Sequence, residues 1–311
     1  VENLSGNISP VPWTGNKGCI YHTINAFMPP HKVYIEPCCG SAEVFFRKIP
    51  AQKEILNDYN KDIVRFFRVL QNNKNLHRLI GRLYFSVNSE ALFKANKELL
   101  KNSPDITSNV TETAMMIEGA TDDEIELAVA FFENQIYSFS STGTSFGIAA
   151  KDMTKRFGRL LAASIRLRNA TILNKDYKDA INYAAGPNTF IFLDPPYRGT
   201  ENYYQNSNFD TTEHDKLFEF MHGIDEKYNG KCKFLITYNN DPYIKALADK
   251  YGFDTYIQKR LHNMLQGAKP GEMFEELLIG NYDLLGQATQ NEILLLDQTR
   301  QLSLFDYQYD Y

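Results

Sequence analysis

An α/β fold of the doubly wound, Rossmann-like type is predicted by three observations. Short apolar runs at 54–57, 189–193, 233–237 and 276–279 read as buried parallel strands, which show continuous rather than alternating hydrophobicity. Stretches with helical spacing alternate with them. A glycine-containing turn follows the first short strand, and an acid, Asp58, stands 18 residues beyond Gly40 at the end of the second.

Taken in order, residues 32–36 read as the first strand and Pro37 to Ser41 as a turn, with an apolar helical stretch around Val44, Phe45 and Phe46. Strand 54–57 ends at Asp58, and Ile63, Phe66, Phe67 and Leu70 have helical spacing. Between about 75 and 155 the alternation stops. That region is polar, helical in pattern and broken by a Gly-containing loop at 138–147 that lacks the Gly-Lys-Ser/Thr ending of a phosphate-binding loop. Alternation resumes with a strand at Ala170 to Leu173, the run 189–193, a helix at 213–222, the run 233–237, a helix at 242–251 and the run 276–279. After Asp283 sheet patterning is lost and the chain ends in a tail, Gln301 to Tyr311. The expected division is a discontinuous core of 1–74 and 156–285, an inserted module of 75–155, and a tail of 286–311.

Composition narrows the class. Hydrophobic residues make up 43% of 311, ordinary for a globular chain. The longest apolar run is far short of the roughly 18–20 residues of a membrane span, and no signal-peptide pattern is read at the start. The four cysteines show neither a disulfide framework nor a Cys-x-x-Cys pair, so a reducing, cytoplasmic setting is expected. The six histidines have no metal-ligand spacing and no metal is expected. A net charge of −5 argues against a non-specific polyanion binder, but charge is locally polarised. Segment 105–133 carries eight acids and no Lys or Arg, whereas 151–168 carries Lys151, Lys155, Arg156, Arg159, Arg166 and Arg168 against Asp152 alone.

Two segments carry chemistry. Glu36, Pro37, Cys38, Cys39, Gly40, Ser41 and Ala42 sit where a strand meets its helix. Gly40 admits close backbone approach to a ligand, and Asp58 is placed to accept hydrogen bonds from a ribose diol. The turn suits an adenosine-containing cofactor; on these residues alone, a tight turn with a solvated acid stays open. Upstream, Lys17 is suited to a carboxylate and Trp13 to covering an apolar or cationic group. The second segment, Asp194-Pro195-Pro196-Tyr197, directly follows the strongest buried run. Two prolines end the strand and stiffen the turn. The Asp194 carboxylate and the Pro195 carbonyl are then two acceptors for a planar amine, with Tyr197 as a flat face beside it. An aromatic amine is a poor nucleophile because its lone pair is delocalised. Two acceptors on its N–H groups favour a more tetrahedral nitrogen and stabilise the positive charge that develops as it reacts.

Together these residues resemble the Dam-type, alpha-group DNA adenine-N6 methyltransferases. That family orders a Trp-x-Gly-Gly-Lys-like segment, a Glu-Pro-Phe-x-Gly-x-Gly turn, an acid after the second strand, an inserted target-recognition region and Asp-Pro-Pro-Tyr. This sequence follows that order over roughly 11–283. Asn16, Cys38 and Ala42 depart from it, which bears on affinity more than on activity. The resemblance implies a Rossmann-like methyltransferase sheet with an inserted, mainly helical target-recognition domain at 75–155. It implies S-adenosylmethionine as cofactor and double-stranded DNA as substrate, with the target base flipped out of the helix. It further implies that Trp13 and Lys17 contact the methionine part, Glu36 to Gly40 floor the pocket, and Asp58 binds the ribose. Asp176 and Tyr177 would lie beside the cofactor adenine, and Asp194, Pro195, Pro196 and Tyr197 would hold the target base, with Asp194 also close to the cofactor. Tyr203, Tyr204 and Phe209 would belong to a loop over that base.

Arg78, Arg82, Lys151, Lys155, Arg156 and Arg159 are candidates for phosphate contacts that set register on DNA, with a solvated helix charge as the alternative for each. Gln301-Leu302-Ser303-Leu304-Phe305 looks like the short motif by which bacterial replication and repair proteins bind the DNA sliding clamp, the alternative being that it docks on this chain's own core. A monomer or weak dimer is expected. Cytosine N4, RNA adenine or protein glutamine remain alternative targets, although the motif order and the inserted region argue against glutamine. A DNA-binding regulator with an inactive core is the alternative of another class, against which the intact Asp58 and Asp194 speak.

Overall fold

A computed structural model describes residues 8–106, 119–139, 143–147, 151–199, 209–261 and 273–294. In chain order the regular elements are α1 (Tyr21–Phe27), β1 (Val33–Glu36), α2 (Glu43–Arg47), β2 (Lys53–Asn57), α3 (Lys61–Gln71), α4 (Asn73–Tyr84), α5 (Glu90–Lys101) and α6 (Asp122–Tyr137). They continue with α7 (Phe157–Leu167), β3 (Ala170–Leu173), α8 (Tyr177–Ala184), β4 (Thr189–Leu193), α9 (Glu213–Lys227), β5 (Cys232–Asn239), α10 (Pro242–Lys250), β6 (Asp254–Leu261) and β7 (Met273–Gly280). The strands form one seven-stranded sheet in the order β3-β2-β1-β4-β5-β7-β6. β2 with β3 and β4 with β5 pair in parallel, and β7 runs antiparallel to both its neighbours. The expected α/β architecture is thus the one observed, except that the run 276–279, read as a parallel strand, belongs to β7 and runs antiparallel.

The described residues fall into two compact units. Of the described residues, the first draws on those within 8–18 and 35–183, the second on those within 19–34, 184–199 and 209–294.

In the first unit, α6 begins with a capping box. The Thr121 hydroxyl accepts from the Glu124 N–H while the Glu124 carboxylate accepts from the Thr121 N–H. Past its acidic first turn the helix is buried all round, from Leu127 to Tyr137, as a helix surrounded by others must be. Phe132 stacks on Phe66 of α3, with centroids 5.2 Å apart. The region that reads as polar therefore contains an apolar core helix, which packs against α3, α4 and α5.

In the second unit, every residue of β4 is buried, which is why it reads as an unbroken apolar run. β6 was not anticipated. It is an edge strand whose polar residues Asp254, Gln258 and Lys259 interrupt any apolar run, and Ile257 is exposed. Its pairing with β7 over eight residues holds it in the sheet.

Candidate active site

The turn after Glu36, Asp58 and the Asp194 turn each stand at the carboxyl end of a strand, β1, β2 and β4. β1 ends at the buried Glu36, and the chain then turns through Pro37 to Ala42. The turn has two left-handed residues, Gly40 (φ 46°) and Ala42 (φ 54°). A Cβ at Gly40 would fall 2.8 Å from Trp13 Nε1, so the indole lies directly against the glycine. The Gly40 N–H donates to Asp58 Oδ2 at 2.7 Å and the Asn60 N–H to Oδ1 at 2.8 Å. Trp13, Gly40 and Asp58 are thereby brought together. Burial holds the Asp58 pKa above the usual carboxylate value, although backbone N–H groups at Asn60, Gly40 and Tyr59 pull it down. Each oxygen of the ionised carboxylate keeps acceptor capacity beyond the bond it makes.

Two residues that sequence reasoning did not single out organise this end of the sheet. Asn57, the last residue of β2, donates from Nδ2 to the carbonyls of Pro37 (2.8 Å) and Lys175 (3.0 Å). Its Oδ1 accepts from the Lys175 N–H at 2.9 Å, and its own carbonyl accepts from the Cys39 N–H at 2.9 Å. One buried amide thus ties together the turns that follow β1, β2 and β3. Asn174 adds a bond from Nδ2 to the Asp58 carbonyl at 2.8 Å. The Cys39 thiol is pushed well up, first by burial and then by the charges of Asp58 and Glu36, so it is a packing residue rather than a nucleophile. Cys38 is half-buried in the same turn.

The remaining cofactor candidates lie in this unit as well. Lys17 is buried and its Nζ donates to the Gly15 carbonyl at 2.8 Å. The Trp13 ring is 6.3 Å from that of Phe131 on α6. Asp176 caps α8, its Oδ1 accepting from the Lys178 N–H at 2.9 Å and its carbonyl from the Ala180 N–H at 3.0 Å. Tyr177 is buried, with the Lys178 ammonium 5.2 Å from its ring centre.

In the second unit, Asp194 follows directly on β4. Pro195 and Pro196 are buried, while Asp194 and Tyr197 are part-exposed. Leu193 pairs with Ile236 on β5, which brings the next residue along, Thr237, beside Asp194. The Thr237 hydroxyl donates to Asp194 Oδ1 at 2.8 Å. The Tyr197 ring lies 5.8 Å from that of Tyr238 at 33°. The Tyr238 hydroxyl is 2.9 Å from His214 Nδ1, both residues being fully buried, and Phe209 meets the His214 ring edge-on at 5.1 Å. Tyr203 and Tyr204 lie outside the described residues, as does the Gln301 to Phe305 motif.

The basic candidates divide. Arg78 donates to the Ala120 carbonyl and, at 2.7 Å, to Asp122; Arg82 pairs with Glu126. Lys151 donates to the carbonyls of Ile136 and Ser138, and burial, then Arg156, lowers its pKa. These three side chains are spent inside the helical region. Arg156 is half-buried, its pKa lowered by burial and by Arg159. Lys155 and Arg159 are exposed, without an ion pair among the described residues. Among those residues no group of three or more His, Cys, Asp or Glu is placed to hold a metal ion, and no helix is long and apolar enough to cross a membrane.

Comparison with known proteins bears on this arrangement. A DNA N-6-adenine-methyltransferase of Escherichia phage P1 is 24% identical over 78% of this chain and 31% of its own length. The modification methylase LlaI of Lactococcus lactis subsp. lactis is 22% identical over 76% of this chain and 37% of its own. This chain thus spans about a third of the length of these curated relatives. A solved precorrin-6y C5,15-methyltransferase from Geobacter metallireducens GS-15 aligns over 88% of this chain and 90% of its own, at 10% identity and a TM-score of 0.37, a likeness too slight to carry an argument. A family model described as D12 class N6 adenine-specific DNA methyltransferase matches residues 13–264, a span that runs from Trp13 through Asp58 to the Asp194 turn and beyond. The chain belongs to the D12 class N6 adenine-specific DNA methyltransferase family.

Proposed function

We propose that this chain transfers a methyl group from S-adenosylmethionine to N6 of adenine in double-stranded DNA. The observation that carries the reading is the Asp194 carboxylate. It sits at the end of a fully buried strand, is bonded by Thr237, and is followed by two prolines and an aromatic ring. A fixed acceptor beside a flat face suits a planar amine such as that of a purine. Family membership and the names of the two relatives support adenine in DNA as the target.

The turn at Gly40 fits an adenosylated cofactor. Its backbone is bare of a Cβ where Trp13 closes on it, and Asp58 stands at its side with acceptor capacity for a ribose diol. When bound, the cofactor supplies an activated sulfonium methyl. Trp13 and Lys17 hold its methionine part, Glu36 to Gly40 with Cys38 form the floor, and Asp176 and Tyr177 flank its adenine. Asp194 and the Pro195 carbonyl accept from the two N6 hydrogens of the extruded base, Tyr197 stacks on it, and Pro196 stiffens the turn. The amine held there would take the methyl that the cofactor supplies and lose one proton to solvent, which would leave S-adenosylhomocysteine and N6-methyladenine.

Residues 75–155 act as the target-recognition module, with phosphates held at its basic flank. The tail at Gln301 to Phe305 binds a sliding clamp. A peptide of residues 296–311 should bind a bacterial clamp saturably and lose binding with Phe305→Ala; binding that the substitution leaves unchanged rejects that part. For the reaction, labelled methyl transfer to DNA by the wild type and by Asp194→Ala, with sequencing of the modified bases, is the direct test. Label on adenine that drops to background in the variant is expected. Label on cytosine, or equal background from both proteins, overturns the reading.

A further inference from the structure

The Asp194 carboxylate is useful only if it is both charged and correctly rotated. A side chain at the end of a strand has freedom about its last torsion, and the prolines that follow fix the backbone but not the carboxylate. The structure assigns that task to Thr237: a positioning residue whose hydroxyl, by bonding Asp194 Oδ1, sets the rotation of the carboxylate that receives the target amine. The inference rests on the proposed reaction and deepens it.

Three observations carry it. The Thr237 Oγ1 to Asp194 Oδ1 bond is 2.8 Å long and part-buried, the usual length of an O–H···O hydrogen bond. Thr237 is itself fully buried and lies within β5, where its backbone is held by pairing with Leu278 of β7, one residue beyond the last β4–β5 pair, Leu193 with Ile236. Its β-branched side chain has few rotamers open to it, which aims the hydroxyl. Its neighbours on β5, Leu235, Ile236 and Tyr238, are likewise fully buried, so a hydroxyl at this position needs a partner within the fold, and Asp194 Oδ1 is that partner. Parallel pairing of β4 with β5 makes the alignment a property of the sheet rather than of a loop. An O–H donor also favours the ionised carboxylate over the neutral acid, which would itself be a donor and compete with the amine.

Thr237→Val removes the hydroxyl and keeps the shape. Losing one hydrogen bond to a charged group corresponds to about a 10- to 100-fold fall in rate. Single-turnover methyl transfer should therefore slow by about that factor in Thr237→Val, while the Kd for S-adenosylmethionine and the melting temperature stay near wild type. Thr237→Ser, which restores the donor, should recover most of the rate. A Val variant that melts like wild type and transfers at the wild-type rate overturns the inference, and so does a Ser variant as slow as Val. In protein labelled with 13C at aspartate carboxyls, the Asp194 midpoint, assigned with Asp194→Asn, should move up in Thr237→Val and stay put in Thr237→Ser. That titration needs no turnover. If wild type leaves DNA adenine unmethylated, the reaction reading falls, and the titration still decides whether Thr237 governs Asp194.

Discussion

Gly40 and its partners show how much one residue can require of its surroundings. A left-handed φ of 46° is open to glycine at no steric cost, and the space where a Cβ would stand is already taken by the Trp13 indole. Gly40→Ala therefore meets two penalties, about 1–2 kcal/mol for the backbone alone. The expected outcome is a rise in the Kd for S-adenosylmethionine on the order of ten-fold or more by titration calorimetry. Unchanged affinity would mean the turn is not a cofactor floor. Asp58 makes the pH side of the same argument. Burial raises its pKa, so the folded state holds a proton that the unfolded chain would already have lost, and the ionised form detracts from stability at neutral pH. A ribose diol needs the ionised acceptor. Cofactor affinity should accordingly fall as pH drops through the raised Asp58 value, while Asp58→Asn should be weak at every pH. The glycine and the acid were legible because their spacing is a signature. Asn57 and Thr237 were not, since an amide that ends an apolar strand and a hydroxyl inside one look like ordinary strand residues until the partner strands are known.

Among elements, the join between β2, α2 and α7 is the clearest test of what holds the first unit. Glu54 on β2 accepts from Lys48 Nζ at 2.7 Å and from both terminal nitrogens of Arg166 on α7, one of them at 2.8 Å. Arg166 also donates to the Phe45 carbonyl at 3.0 Å and lies 3.7 Å over the Phe45 ring. Burial alone would raise the Glu54 pKa; the bonds from Arg166 and Lys48 outweigh it and hold the pKa below the ordinary glutamate value. The sign follows. This carboxylate contributes stability above its unfolded pKa and loses it as pH falls through the lowered folded value. Glu54→Ala would strand a buried lysine and a part-buried arginine. It should destabilise the fold by about 3–5 kcal/mol in urea unfolding at pH 7, a difference that narrows in acid. A change under about 1 kcal/mol at pH 7 would show the cluster to be water-filled and unimportant. Most strands were readable as elements because their burial on both faces leaves unbroken apolar runs. β6 escaped because an edge strand needs no such run, and the burial of α6, within a region read as helical but polar, was masked by the acidic residues that crowd its first turn.

For the molecule as a whole, net charge is a poor guide to DNA binding. A chain of net charge −5 must localise its positive charge if it is to hold a duplex. Sequence counting offered six cations, but folding uses three of them. Arg78 and Arg82 answer acids on α6, and Lys151 is turned onto backbone carbonyls. That distinction could not be read from the sequence, where each is simply a lysine or arginine in a helical or loop segment. Lys155 and Arg159 stand exposed four residues apart across the start of α7, with Arg156 half-buried between them. If they hold phosphates, the double variant Lys155→Ala/Arg159→Ala should weaken binding to a duplex of any sequence. The slope of log K against log salt should fall by about 1.8, roughly 0.9 for each phosphate that is no longer neutralised. Arg78→Ala should leave that slope unchanged and lower the melting temperature instead, because its bonds run to Ala120 and Asp122 within the helical region. Fluorescence anisotropy titrations between about 50 and 200 mM salt cover the range in which such slopes are steep. The reverse result, a flat response from the double variant and a reduced slope from Arg78→Ala, would move the duplex to the α4 and α6 side of the unit and free the α7 flank of any part in binding.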